Sequence, residues 1–309
     1  MAFVFIIVFL SFLCGFSVIL NVTVVLTILA KGNTKNTRDV ILMSLAICDG
    51  VQCTIGYPVE LFGYANYKNP SLSEKFCKPS GFIVMYLALT AIAHLVCLCI
   101  YRYLTIVYPL KLQIFLTKSN WSACGCIAFC WIYGLFWSLS PLLGWNEIVR
   151  EKQDTYRCSI NLYPDNEIKS SYLYALAIFC YLIPLIIIIY CSLKVRSELR
   201  NMLKMCKQIS GVEANITKVT YRIEKQDFIS VSFIIASFFT VWTPYAVCVF
   251  YLTIGKKLPP SFLTYCALFA KSSTILNPII YCLMYKKFRQ TLQSKFGKLF
   301  NNPTVTPAV

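Results

Sequence analysis

The stretch Phe262–Phe288, "FLTYCALFAKSSTILNPIIYCLMYKKF", reads as an apolar helix with a lysine, Lys271, in its middle. A charged side chain at that depth in a bilayer costs about 2.5–3.5 kcal/mol on insertion scales. The rest of the chain has the same oily character. Of its 309 residues, 58% are hydrophobic and 14% charged, whereas soluble domains carry roughly 25% charged residues. Apolar runs of spanning length, about 17–25 residues, fall near 3–30, 40–64, 77–106, 120–143, 172–195, 225–252 and 261–284. These runs predict an all-α membrane protein, a seven-transmembrane helix bundle over 1–284 with no soluble domain attached. The following run, "YKKFRQTLQSKFGKLF" (285–300), predicts a short amphipathic eighth helix lying on the inner membrane surface. Residues 301–309 are then a short cytoplasmic tail.

The first span is too long for a signal-peptide core and lacks a basic start and a cleavage site. Its first positive charge, Lys31, comes after the span, so the positive-inside rule places the N-terminus outside and the chain as a multi-pass protein of the cell membrane. Lys and Arg are dense between spans 5 and 6 and again after span 7, while Lys256 and Lys257 fall outside, so the rule holds as a bias. The net charge of +16 is thus mostly a cytoplasmic surface facing anionic lipid or an acidic partner. Its spread over loops argues against nucleic acid.

Most of the 16 cysteines lie within spans, where a small apolar side chain explains them. Cys77, at the outer mouth of span 3, and Cys158, in the second outer loop, face an oxidising compartment, which predicts a bridge between them. Asn21-Val-Thr, Asn120-Trp-Ser and Asn215-Ile-Thr match the glycosylation pattern but fall in a span or on the cytoplasmic side. No metal-spaced cluster, phosphate loop or nucleophilic triad stands out, and the single histidine, His94, reads as a packed core residue of span 3.

Of the 13 acids, Asp49 and Glu60 alone lie well inside a span, both in span 2. Intramembrane ionisable groups face the bundle interior and have partners. Asp49 and Glu60 are 11 residues apart, close to three turns, with a rise of about 16 Å, which Pro58 between them blurs. Lys271 lies six residues, about 9 Å, outside Asn277, and helical side chains lean toward their own N-terminus. With Asp49 and Asn277 taken as level, the lysine nitrogen climbs toward the height of Glu60, and the polar groups sort into two layers, Asn21, Asp49 and Asn277 at mid-depth and Lys271 with Glu60 above them. A plain ion pair adds little net stability when buried. A desolvated lysine, by contrast, can attack a carbonyl and form a Schiff base, which needs an anion beside it once protonated.

Asn21, "LAICD" ending at Asp49, Arg102 in "IYRYL", Trp131, Pro184, "WTPY" (Trp242–Tyr245) and "NPIIY" (Asn277, Pro278, Tyr281) stand in the order and spacing of rhodopsin-like G-protein-coupled receptors, and the chain resembles that family over nearly its whole length. Within it, a lysine six residues before the asparagine of "NPIIY" resembles the retinal-binding lysine of opsins, of an invertebrate type similar to cnidarian opsins. That resemblance implies a light-activated receptor, not an enzyme. It would carry 11-cis-retinal as a Schiff base on Lys271 and activate a heterotrimeric G protein, with arrestin as a further partner. It also implies Trp242, Tyr245, Val84 and Ala88 as pocket wall, and Arg102 with Glu224, Asp49, Asn21, Asn277, Pro278 and Tyr281 as switch residues.

Three departures matter. The helix-3 position that bears the glutamate counterion of vertebrate visual opsins is Ser80 here. Two acids are left as counterion candidates, Glu60 in span 2 and Glu151 in the second outer loop, and the depth argument favours Glu60. The usual acid before the helix-3 arginine is Tyr101, leaving Glu224 to pair with Arg102 and implying a weaker inactive-state lock. The tyrosine expected near the inner end of helix 5 is Ser192. Two rivals stay open, a retinal photoisomerase-type opsin and a diffusible-ligand receptor with an incidental lysine.

Overall fold

The computed structural model describes residues 2–30, 36–66, 69–109, 121–150, 157–208, 211–284, 290, 291, 293 and 294. Among these, seven helices are long and apolar enough to cross a membrane. They run Val4–Ala30, Thr37–Gly63, Lys75–Val107, Ala123–Leu143, Glu167–Gln208, Asn215–Thr253 and Ser261–Leu283, and are spans 1 to 7 below. They form one seven-helix membrane bundle. Residues 285–300 lie outside the described residues except for 290, 291, 293 and 294, and the tail 301–309 lies wholly outside them.

Five spans match the apolar runs closely. Span 5 is longer at its C-terminal end and span 6 at its N-terminal end. The helix of span 6 begins at Gly211, well before the apolar run near 225, and that of span 5 continues to Gln208. Hydropathy reports only the part of a helix that lipid surrounds. The added turns are amphiphilic, with Lys218, Arg222 and Lys225 exposed, and are helical by propensity and continuity.

Local chemistry shapes the interior. Proline has no N–H and its ring collides with the carbonyl four residues back. Pro58 and Pro184 each follow a π-turn, Gln52–Gly56 in span 2 and Ile178–Leu182 in span 5, that takes up this misfit. In span 5 the loosened Phe179 carbonyl accepts a hydrogen bond from Tyr133 Oη at 2.8 Å. Spans 3 and 4 meet at Gly134, where a Cβ would lie 2.0 Å from Thr90 Oγ1, so only glycine allows that approach. The main apolar core joins spans 1 to 7 through residues such as Val24, Leu45, Leu95, Leu98, Ile188, Ile234 and Tyr281. His94 is fully buried, with one ring nitrogen 2.8 Å from the Thr90 carbonyl and the other 2.8 Å from Ser44 Oγ, which also accepts from Trp131 Nε1 at 3.1 Å.

Between spans 4 and 5 a two-stranded antiparallel hairpin, β1 (Ile148–Arg150) and β2 (Cys158–Ile160), pairs Ile148 with Ile160 and Arg150 with Cys158. A disulfide from Cys77 to Cys158 ties β2 to the N-terminal start of span 3 and closes a separation of 81 residues. Chain-entropy arguments assign a loop of that length on the order of 4 kcal/mol. Cys77→Ser or Cys158→Ser should therefore lower the thermal midpoint of the purified protein by several degrees, and an unchanged midpoint would show that the bridge carries no stability.

Candidate functional site

Span 7 is broken at its lysine. Its helix runs Pro260–Lys271, turns at Ser272 and resumes as Ser273–Met284. Around the break the ladder tightens to three-residue bonds, Ser272 N–H to the Phe269 carbonyl at 3.1 Å and Ile275 N–H to the Ser272 carbonyl at 3.2 Å. The Lys271 carbonyl instead accepts from Thr274 Oγ1 at 3.2 Å and from Tyr57 Oη at 3.4 Å. The lysine is thus held by backbone and side chain at a point where the helix is not regular.

Its ammonium forms an ion pair with Glu60 Oε2, and both residues are 5% exposed. Tyr57, one turn before Glu60, lies under the same nitrogen, 4.6 Å from Nζ to the ring centroid. A cation over an aromatic face gains about 2 kcal/mol when desolvated. Glu60 Oε1 is buried and has no hydrogen-bond partner among the described residues. A carboxylate with one satisfied oxygen and one orphan is a costly arrangement.

Glu60, Lys271, Val84, Ala88, Trp242 and Tyr245 line one cavity. Trp242 stacks on Phe238 at 5.5 Å, stands edge-on to Tyr245 at 6.2 Å, and donates through Nε1 to Ser273 Oγ at 3.2 Å. The cavity wall is therefore wired to the stretch of span 7 just after the break. The hairpin roofs the cavity with Cys158, Ser159 and Ile160. The roof sits close because of Gly81, where a Cβ would come within 2.6 Å of Ile148 Cγ2 and 3.2 Å of the Cys158 carbonyl oxygen. Ser80 turns its hydroxyl back to the Cys77 carbonyl at 2.9 Å. Glu151 lies outside the described residues.

Beneath the cavity lies the second polar layer. Asp49 Oδ2 accepts from Asn277 Nδ2 at 2.9 Å. Asn21 reaches span 7 rather than Asp49, donating to the Thr274 carbonyl at 3.0 Å and to Ser17. Pro278, next to Asn277, and Tyr281, about one turn further along, are both buried.

The profile of seven-transmembrane receptors of the rhodopsin family matches residues 20–281. The chain belongs to that family. Among receptors it resembles are the visual pigment-like receptor peropsin of Homo sapiens, 26% identical over 91% of this chain and 80% of the relative. Pinopsin of Columba livia is 27% identical over 89% and 76%. Melanopsin of Podarcis siculus is 28% identical over 89% and 58%. The crystal structure of squid rhodopsin superposes with a TM-score of 0.81 at 21% identity, covering 95% of this chain and 85% of that one, and shows the same fold.

At the end of this rhodopsin-family receptor's bundle away from the hairpin, Arg102 Nη2 meets Glu224 Oε2 at 2.9 Å. The expectation of a single acid for Arg102 is corrected here, since Asp227 Oδ2 stands 3.8 Å from Arg102 Nη1. Sequence reading passed over Asp227 because it sits at the edge of the apolar run near 225, where a charge looks solvated. Tyr57 was missed because a tyrosine in a span is ambiguous; its position one turn before an intramembrane glutamate was the available signal. The receptor also buries Arg157 in the cavity wall, with its guanidinium 5.6 Å from the Tyr245 ring centroid. Adjacency to Cys158 was the only hint of that.

Proposed function

We propose that this receptor is an opsin, a light-activated receptor that holds 11-cis-retinal as a Schiff base on Lys271 Nζ and activates a heterotrimeric G protein. The observation that carries this reading is the buried ammonium–carboxylate pair of Lys271 and Glu60 set in the wall of a largely apolar, aromatic cavity. The similarity to peropsin, pinopsin and melanopsin supports it. The residues fit an aldehyde held covalently. Lys271 presents its amine to the cavity, Glu60 supplies a negative charge beside that nitrogen with one oxygen still to be satisfied, and Tyr57 shields the pair from below.

When bound, retinal supplies a polyene that absorbs visible light and changes shape on isomerisation. The protein's part is to orient and to respond. Trp242, Tyr245, Val84 and Ala88 confine the polyene, the disulfide-pinned hairpin excludes water from above, and Glu60 keeps a proton on the Lys271 nitrogen. Displacement of Trp242 would pull on Ser273 through its indole N–H, at the break of span 7 and beside the Thr274 carbonyl that Asn21 grips. The Arg102–Glu224 pair is the natural readout at the inner face, because separating it frees span 6. A switch requires two such states and a ligand that distinguishes them.

The protein would lie in the cell membrane with its N-terminus outside, its basic inner face meeting the G protein and, by resemblance to rhodopsin-like receptors, arrestin. The test is expression with 11-cis-retinal and an absorbance spectrum before and after acid trapping. A visible band that acid converts to a trapped protonated imine supports the reading; a colourless product overturns it. Light-dependent nucleotide exchange on a G protein separates the signalling receptor from a photoisomerase, for which light would change the retinal isomer without exchange.

A further inference from the structure

The inner face holds a charge cluster that the family's span 3–span 6 pair does not account for. Arg38, in the first turn of span 2, donates through Nε and Nη2 to Asp39 Oδ1, each at 3.3 Å, and pairs through Nη1 with Asp227 Oδ2. That same Asp227 oxygen stands 3.8 Å from Arg102 Nη1. Asp227 and Glu224 are three residues apart and share one face of span 6. The two acids of span 6 therefore face two guanidiniums, one from span 2 and one from span 3. The side chains of Arg38, Arg102 and Asp227 are 11%, 7% and 19% exposed, so these contacts are far less screened than surface ion pairs.

We propose that Asp227 and Arg38 are positioning residues of the switch: a span 2–span 6 bridge that holds the inner end of span 6 closed and replaces the acid that Tyr101 does not supply from span 3. The proposal rests on the reading that the receptor signals by releasing span 6. Three features carry it. Asp227 is the only described acid besides Glu224 within 4 Å of Arg102. Its position is fixed by Arg38, whose guanidinium fork is itself anchored on Asp39, so the acid cannot swing to solvent without breaking a partly desolvated pair. An outward movement of span 6 withdraws both acids from both arginines at once, so the two contacts act together. Arg38 does not line the cavity, and its ion pair with Asp227 links it to span 6.

The test measures basal guanine-nucleotide exchange in the dark and, on the same full-length receptor in lipid nanodiscs, deuterium uptake across residues 215–230. Arg38→Gln and Asp227→Asn should each raise basal exchange about tenfold, a coupling within the usual allosteric range, and raise uptake in that segment. The double variant should do no more than Asp227→Asn alone, because both changes break one bridge. Asp227→Glu, which keeps the charge, should stay within about twofold of wild type. A merely structural role would lower the thermal midpoint without raising exchange or uptake. If the neutral variants do not fold, Arg38→Lys decides, since an ammonium cannot bond Asp39 and Asp227 in the manner of a planar fork; a smaller rise is expected. Wild-type exchange and uptake in Arg38→Gln, or in Arg38→Lys in its stead, or additive effects in the double variant, overturn the proposal. A wild-type receptor that never promotes exchange in light sinks the signalling reading instead, and uptake across 215–230 then judges the bridge by itself.

Discussion

Lys271→Ala, reconstituted with 11-cis-retinal, should give no visible absorbance band, only the ultraviolet absorption of unattached aldehyde. The amine is the one nucleophile the cavity presents beside a carboxylate, and without it no covalent linkage to Nζ can form. The variant also leaves Glu60 buried with neither oxygen paired to Lys271. Breaking a buried pair by removing one partner destabilises by about 3–5 kcal/mol, so a colourless preparation could be an unfolded one. The double variant Lys271→Ala with Glu60→Gln removes the stranded charge and should recover much of the thermal stability while remaining colourless. That pattern, non-additive in stability and identical in colour, isolates the chemical role of the amine. A visible band in the stable double variant would eliminate attachment at Lys271.

Glu60→Gln should move the absorbance of the pigment at neutral pH from the visible to the ultraviolet, with the visible band returning on acidification. A protonated imine needs its countercharge, and Glu60 is the carboxylate that already contacts the Lys271 nitrogen. Two unit charges about 4 Å apart interact by roughly 4 kcal/mol at an effective dielectric of 20. Its loss lets the imine proton leave at lower pH. The sign is unambiguous, because the carboxylate favours the charged form and glutamine does not. Glu151→Gln should leave the neutral-pH spectrum in the visible. If Glu151→Gln loses the visible band and Glu60→Gln keeps it, the counterion is the loop acid.

Much of this arrangement is legible in the chain. Seven apolar runs appear because the hydrocarbon core imposes a length and excludes charge, and both constraints act on each run locally. The same exclusion makes Lys271, Glu60 and Asp49 conspicuous. With Asp49 and Asn277 taken as level, helical rise and the outward lean of the lysine side chain bring Lys271 toward the height of Glu60, and in the fold each of these pairs is in contact. The bridge between Cys77 and Cys158 follows from asking which cysteines face outward.

Other features escaped for a physical reason. The π-turns of spans 2 and 5 are the response of a packed helix to a proline and change its phase without changing its hydropathy. The break of span 7 after Lys271 depends on hydroxyls that capture a carbonyl, and one of them, Tyr57, comes from another helix. The charges at the inner face, Arg38, Asp39, Asp227 and Glu224, are each ordinary in sequence, since a polar helix end tolerates any of them.

The sequence by itself determined the membrane class, the number of spans, and that a lysine and a glutamate must share the buried interior, because a bilayer penalises every departure from apolar helix locally and steeply. Only the tertiary structure decided which oxygen meets the ammonium, what roofs the cavity, and that span 2 reaches span 6 through Arg38 and Asp227. Those contacts join residues 211, 81 and 189 positions apart, and no periodicity along the chain encodes which side chains the packing of seven helices will bring within a few ångströms.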